Sequence, residues 1–170
     1  MHKSLIGCAG LDSSRRKPAE DAQYVGMTAK SEFKWPIRVY WEDTDAGGVV
    51  YHARYLAFLE RARTEWMRSI GYDQLELCTT HHIVFVVCAM ETTFKLPARL
   101  DDVLHVTVVM QACKRASFIL KQTIYRQAET VFHARVRIGA LSAGAFRPCA
   151  IPANVYATIK KKVHNDSSND

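Results

Sequence analysis

Apolar and polar residues alternate through the second half of the chain. The apolar positions of this alternation are Leu104, Val106, Val108, Met110, Phe118, Leu120, Ile124, Phe132, Ala134, Val136 and Ile138. A period of two places every second side chain on the same face of a sheet. Residues 126–130 interrupt the pattern and predict a hairpin connection. With residues 83–96, which are rich in Val, Phe and Thr, the pattern predicts four antiparallel strands.

The period changes in the first half of the chain. Between residues 53 and 70, apolar side chains recur every three or four positions in two neighbouring stripes. They are Tyr55, Leu56, Phe58, Leu59, Ala62, Trp66, Met67 and Ile70. So wide an apolar face predicts a helix that is buried on more than one side. We also predict a strand over residues 37–41, within a strand-like run that starts at residue 33, and a short helix over residues 155–163.

One strand, one long helix and then about four strands predict an α+β protein. The economical way to cover both apolar surfaces is an antiparallel sheet of about five strands wrapped around one central helix, the hot-dog fold. The edges of such a sheet would be bare in a monomer. We therefore predict a homodimer or homotetramer.

We divide the chain into a hot-dog domain over residues 33–163, a disordered N-terminal extension over residues 1–32 and a polar tail over residues 164–170. The pair Arg15-Arg16 is similar to a twin-arginine export signal, but Glu20 and Asp21 follow where an apolar stretch should come. We therefore reject export, and Met27 is an alternative start.

Composition excludes several classes of protein. The chain has 170 residues, of which 48% are hydrophobic and 24% charged, as in a soluble globular domain. No apolar run approaches the roughly 20 residues of a transmembrane helix. Five scattered cysteines without C-x-x-C spacing predict a reducing compartment, the cytoplasm. His81 and His82 are adjacent rather than at metal-ligand spacing, so we predict no metal site.

The net charge of +6 raises the question of a partner. Basic residues cluster at Arg15-Arg16-Lys17 and Lys160-Lys161-Lys162, and others lie at Lys114-Arg115 and at Arg135 and Arg137. Such groups serve nucleic acid, acidic lipid or a phosphorylated cofactor, or they are solvated surface charge. Nucleic acid is disfavoured because no aromatic residues are interleaved with them.

The candidate chemistry lies between the first strand and the helix. Residues 41–52 contain two acids, Asp43 and Asp45, then Gly47-Gly48 and finally His52. Glycines allow a sharp turn and a close approach of the backbone to a ligand. The start of a helix offers unpaired N–H groups. An acid beside such donors suits reaction at a carbonyl, because one group attacks or activates water while the other stabilises the oxyanion.

Residues 38–55, with residues 58–65 and 97–102, closely resemble the signature of the hot-dog acyl-CoA thioesterases of the 4-hydroxybenzoyl-CoA thioesterase-like family. They look most like its Tol–Pal-associated (YbgC-type) subgroup. The resemblance covers about residues 34–160, and residues 135–144 depart from the more apolar family pattern. It implies hydrolysis of acyl-CoA to a free acid and CoA without a cofactor.

The resemblance also implies residue roles. Asp45 matches the catalytic aspartate, which acts as nucleophile or as general base. The backbone N–H of His52 matches the donor to the thioester carbonyl, and its imidazole is implied to take part. Asp43 is expected to hold the loop. A second lineage of these enzymes uses a helix glutamate, so Glu60 is the alternative acid.

Substrate-binding residues are expected in two groups. Lys114, Arg115 and Ser117 resemble the segment that meets the CoA nucleotide, because Lys and Arg bind phosphate strongly. They could equally be a solvated hairpin. Gly48 is expected to let the backbone approach the substrate. Tyr51 and Tyr55 line an acyl pocket or pack in the core.

We predict short- or medium-chain aliphatic acyl-CoA as substrate, with an aromatic 4-hydroxybenzoyl-type thioester as the alternative. Two competing functions are a non-catalytic acyl-thioester-binding scaffold of the Tol–Pal system and a hot-dog dehydratase. The dehydratase would need a different arrangement of His and acid, which the sequence lacks. The resemblance also implies acyl carrier protein or phospholipid-synthesis enzymes as partners, and an association with the inner membrane.

Overall fold

The structure is a computed structural model, and it describes residues 33–162. Five strands and three α-helices follow one another along these residues. They are β1 (Phe33–Arg38), α1 (Arg54–Ser69), α2 (Gln74–Thr79), β2 (Ile83–Phe94), β3 (Val103–Lys114), β4 (Ser117–Arg126), β5 (Glu129–Ser142) and α3 (Ala153–Lys160). This confirms the predicted order of elements, in which one strand and one long helix precede four strands.

The five strands form one antiparallel sheet in the order β1-β3-β4-β5-β2. The apolar members of the predicted alternation are all buried, and aromatic side chains of α1 contact two of them, Tyr55 on Phe132 and Trp66 on Phe118. On the helix, Leu59, Ala62 and Trp66 form the centre of the apolar stripe and are buried. The sheet therefore wraps one face around α1, which confirms the hot-dog fold. Strands β1 and β2 are its edges.

The prediction of a strand over residues 37–41 is wrong at its end. Strand β1 ends at Arg38, and Trp41–Asp43 forms a short 3-10 helix. The backbone N–H of Tyr40 donates to Asp43 Oδ2 at 2.9 Å, and the N–H of Thr44 donates to the Trp41 carbonyl at 3.2 Å. The chain forms a helical turn here instead of continuing as a strand, because the buried carboxylate of Asp43 accepts a backbone N–H that a strand would otherwise pair.

Helix α2 was not predicted. Asp73 caps it by accepting the N–H of Glu76 at 2.7 Å. Helix α3 starts two residues earlier than predicted, at Ala153, and ends at Lys160 rather than at residue 163. The expectations for residues 1–32 and for the tail over residues 164–170 lie outside the described residues. No helix between residues 33 and 162 is long and apolar enough to cross a membrane.

Candidate active site

A compact loop over residues 39–53, called here the Asp45 loop, connects β1 to the start of α1 and contains the predicted catalytic residues. It pairs with itself, since Asp45 N–H donates to the Val49 carbonyl at 3.0 Å and Tyr51 N–H to the Asp43 carbonyl at 2.9 Å. It is also fixed to the segment before β3, because Val50 N–H donates to the Ala98 carbonyl at 2.8 Å. The loop is therefore held at both ends by backbone bonds.

Asp43 is the structural acid of the loop. Its side chain is buried, and Oδ1 accepts from Arg54 Nε at 2.7 Å while Oδ2 accepts from the N–H of Tyr40. Arg54 Nη2 also reaches Oδ1 at 2.6 Å and Glu42 Oε1 at 3.2 Å. The hydrogen bond with Asp43 raises the pKa of Arg54. With both oxygens occupied, Asp43 fixes the loop to the start of α1, as the sequence predicted.

Asp45 has the opposite environment. It is exposed, and its carboxylate accepts one hydrogen bond, from the N–H of Gly47 to Oδ1 at 2.8 Å. Its carbonyl accepts the N–H of Gly48 at 3.0 Å and closes the turn. Gly48 has φ +72°, a conformation that side chains with a Cβ rarely adopt. The loop thus keeps one carboxylate oxygen of Asp45 free of protein hydrogen bonds within the described residues.

His52 lies just before α1, which begins at Arg54 rather than at residue 53 as predicted. Its ring is exposed and lies 4.3 Å from the ring centroid of Tyr51, which is 45% exposed. Among residues 33–162, no acceptor is hydrogen-bonded to the backbone N–H of His52 or of Ala53. These two N–H groups are therefore available to an oxygen of a substrate.

The structure places Tyr55 in the core. Its ring stacks on Phe132 at 5.2 Å between centroids and meets Phe94 edge-on at 5.5 Å. Its hydroxyl accepts the N–H of Ala98 at 3.1 Å, and burial raises the pKa of this hydroxyl. Tyr55 therefore supports the segment to which the loop is fixed. Of the two tyrosines, Tyr51 is the one with an exposed ring beside the loop.

The predicted CoA-binding segment lies at the other end of the sheet. Lys114 and Ser117 end β3 and begin β4, with Arg115 in the turn between them. The Asp45 loop is fixed beside the opposite end of β3, which spans 12 residues or about 36 Å. One chain therefore does not bring Lys114, Arg115 and Ser117 together with Asp45.

Two polar contacts on α1 bear on the alternatives. Glu60 is exposed and accepts the hydroxyl of Thr64 at 2.8 Å. Sequence reasoning missed that Arg63 Nη1 donates to Oε1 of the buried Gln122 at 2.9 Å, and that Gln122 Nε2 donates to the Leu59 carbonyl at 3.0 Å. Burial lowers the pKa of Arg63. The available signals were a basic residue interrupting the apolar stripe and a polar residue at an inward strand position.

Comparisons with known proteins agree on one family. A model of the thioesterase-like superfamily matches residues 39–159. The acyl-CoA thioesterase YbgC of Haemophilus influenzae is 41% identical over 127 residues, covering 75% of this chain and 93% of that protein. The acyl-CoA thioester hydrolase YbgC of Escherichia coli O6:H1 is 40% identical over 130 residues, covering 76% and 96%.

A solved structure is also similar to this chain. The probable thioesterase from Bartonella henselae superposes with a TM-score of 0.69 at 34% sequence identity, covering 72% of this chain and 100% of that chain. The residues matched by the superfamily model include the whole Asp45 loop, α1 and strands β2 to β5. Within residues 33–162, no group of three His, Cys, Asp or Glu side chains could hold a metal ion.

Proposed function

Because the chain belongs to the thioesterase-like superfamily and is an acyl-CoA thioester hydrolase, we propose that the loop before α1 carries its reaction. Asp45 supplies the carboxylate, and the N–H groups that precede α1 bind the oxyanion. Short- or medium-chain acyl-CoA is the proposed substrate, and an aromatic 4-hydroxybenzoyl-type thioester is the alternative. CoA enters with the substrate and leaves as a product, and no metal or further cofactor takes part.

The unequal use of the two loop acids carries this proposal. Asp43 is buried, and its two carboxylate oxygens accept hydrogen bonds from Arg54 and from the N–H of Tyr40. Asp45 is exposed and oriented by a single backbone bond. A carboxylate that is oriented but not neutralised can take a proton or attack a carbonyl carbon, whereas one held by a guanidinium cannot. The division supports Asp45 as the reacting acid.

Two routes use the same geometry. In one, Asp45 takes a proton from water, and the water oxygen attacks the thioester carbon. In the other, an Asp45 oxygen attacks directly and the C–S bond breaks to give a mixed anhydride, which water then hydrolyses. In both, the negative charge on the carbonyl oxygen is stabilised by the N–H groups of His52 and Ala53. The CoA thiolate leaves and takes up a proton, for which the His52 imidazole is the proposed donor.

We propose that each site is shared by two copies of the chain. Strand β2 is an edge, and Val87 and Phe94 on it are 46% and 51% exposed. If β2 of one copy pairs antiparallel with β2 of a second copy, the strands of the second sheet run in the opposite direction. The hairpin end of one copy then lies at the loop end of the other, so Lys114, Arg115 and Ser117 could meet the nucleotide of a substrate bound at the partner's loop.

A panel of acyl-CoAs, with release of free thiol as the readout, tests the activity and ranks aliphatic against aromatic substrates. Binding without turnover across the panel would favour a scaffold instead. A single turnover in ¹⁸O-labelled water probes the two routes. Label enters Asp45 only when water attacks the aspartyl carbonyl carbon of the anhydride, whereas the general-base route places the label in the free acid alone, so labelled Asp45 would establish the anhydride. Mixing Asp45→Asn with Arg115→Glu tests the shared site. Mixed dimers contain one intact site, so activity should return only if two copies form each site.

The cellular setting is proposed from the resemblance and the composition. We place the enzyme in the cytoplasm because its five cysteines are scattered, and the four within the described residues are free thiols. Acyl carrier protein, phospholipid-synthesis enzymes and the Tol–Pal system stay predictions from the resemblance. Co-purification of acyl carrier protein with the enzyme would test the first of them.

A further inference from the structure

The outer face of the sheet, defined by the strand side chains that point away from α1, is strongly basic. In β5, Ala134, Val136 and Ile138 are buried. Arg135 and Arg137 alternate with them and are exposed on the outer face. The strand register places the following cations on this face: Lys34, Arg38, Lys114, Lys121, Arg135 and Arg137.

One acid, Glu91 on β2, occupies an outward position in the five strands. The outward strand positions therefore carry six cations against one acid, a net charge of +5. Lysine and arginine thus dominate the charge of this side of the sheet. This dominance is a feature of the fold, since residues far apart in sequence contribute to it.

The centre of this face brings like charges together. Lys121 on β4 lies directly opposite Arg135 on β5, and Arg137 follows two positions along the same strand. Like charges directly opposite each other destabilise a sheet. The available counter-charge is small, because Arg135 meets Glu91 only at 4.0 Å and both side chains are at least half exposed. An external anion would balance the charge that the described residues leave unbalanced.

The chemistry of the face discriminates between occupants. A second copy stacked on it would oppose the two basic faces. A protein interface is expected to have apolar or aromatic anchors, and nucleic acid is bound with stacking aromatics. Among the outward positions of the five strands, Val103 at the rim is the single exposed large apolar side chain, and others such as Val109, Ile119 and Tyr125 are half-buried. A layer of lipid phosphates needs neither feature, because Lys and Arg are attracted to it electrostatically.

We propose that the outer face docks the protein on a bilayer containing anionic phospholipid, with Lys121, Arg135 and Arg137 at the centre of the contact. Each cation close to an anionic surface strengthens binding by about fivefold, and three together by about 100-fold. The attraction is screened by salt. Asp45 and the loop before α1 are not part of this surface. Lys114, which is also a proposed CoA-binding residue, lies at its edge and is left unchanged in the test below, so membrane binding and hydrolysis of soluble acyl-CoA can be measured separately.

Co-sedimentation of the full chain with vesicles tests this surface. The vesicles are phosphatidylcholine with or without phosphatidylglycerol, at low and at high salt. The test variant is Lys121→Gln/Arg135→Gln/Arg137→Gln. The matched control is Lys160→Gln/Lys161→Gln/Lys162→Gln, which removes the same charge from an exposed cluster at the end of α3. Circular dichroism and hydrolysis of soluble acyl-CoA verify that both variants are folded.

The expected result is salt-sensitive binding that requires phosphatidylglycerol. The test variant should weaken it by about 100-fold, and the Lys160–162 control should weaken it much less. Failure of the wild type to bind anionic vesicles would overturn the proposal, as would equal losses in the two variants. Tighter binding to duplex DNA than to the vesicles at equal phosphate concentration would assign the face to nucleic acid and would also contradict it.

Discussion

Arg54 Nε lies 2.7 Å from Oδ1 of the buried Asp43, and this contact joins the first residue of α1 to the start of the loop. The pair spans the segment that contains Asp45, Gly48 and His52. The ion pair between Arg54 and Asp43 stabilises the conformation of the loop, so that the second acid, Asp45, can remain exposed and reactive.

Asp43→Asn should therefore damage the loop more than the chemistry. The amide keeps the shape but has a single acceptor oxygen, so either Arg54 or the N–H of Tyr40 loses its acceptor and the contact that remains is weaker. We expect the midpoint of thermal unfolding to fall by about 5 to 10 °C. Activity should decline at high temperature and recover largely on cooling below the new transition. A variant with normal thermal stability and no turnover at any temperature would instead assign the chemistry to Asp43.

His52→Ala separates the side chain from the backbone at the start of α1. The N–H that is free in the structure remains, so substrate should still bind and turn over. Loss of the imidazole should lower kcat by about 100-fold, because the leaving thiolate loses its proposed proton donor. Steady-state kinetics measures this effect. An unchanged kcat would limit the role of His52 to its backbone.

The two adjacent glycines should respond differently to alanine. A Cβ at Gly47 would lie 3.0 Å from Asp45 Oδ1, so Gly47→Ala should displace the carboxylate and reduce kcat by about tenfold. Gly48 has φ +72° with open space around it, so Gly48→Ala should cost about 1 to 2 kcal/mol of stability through the backbone.

Gly144→Ala is the matched control for this pair, because nothing lies within 4 Å of its Cβ. It should change neither the kinetics nor the free energy of unfolding. If Gly47→Ala reduced stability and left kcat unchanged, Asp45 Oδ1 would not be the sensitive atom.

Gln122 is the polar contact between α1 and the sheet. Gln122→Leu removes the acceptor of Arg63 Nη1 and leaves a partly buried cation without it. We expect a loss of about 2 kcal/mol in the free energy of unfolding. Arg63→Met in addition should recover part of that loss, because no cation is then stranded. Chemical denaturation of the two single variants and the double variant gives the coupling, and simple additivity would show that the two side chains act independently.

The strands and the long helix could be predicted because the residues on their buried faces recur at regular intervals in the sequence. In β3, the buried apolar residues Leu104, Val106 and Val108 occupy every second position. In α1, the apolar residues recur at helical spacing. Hydrophobic burial sets both patterns, so a sequence suffices to read them. The hot-dog fold followed from their order along the chain.

Features that depend on individual hydrogen bonds could not be predicted in the same way. The 3-10 helix at Trp41–Asp43 exists because Asp43 is buried beside Tyr40 N–H, and α2 exists because Asp73 caps a segment that is too short to show a period. The site divides similarly. The resemblance assigned Asp45 and His52, whereas the separation of Asp45 from Arg115 became visible only with the sheet register.

The most direct test of the central claim is the rate of acyl-CoA hydrolysis by Asp45→Asn beside Glu60→Gln, with CoA affinity measured for both. The amide at residue 45 can still accept the Gly47 N–H, so the fold and CoA binding should survive. We predict that Asp45→Asn lowers kcat by about 1,000-fold or more and that Glu60→Gln stays near the wild-type rate. Wild-type turnover by Asp45→Asn, or a comparable loss in Glu60→Gln alone, would contradict Asp45 as the reacting carboxylate.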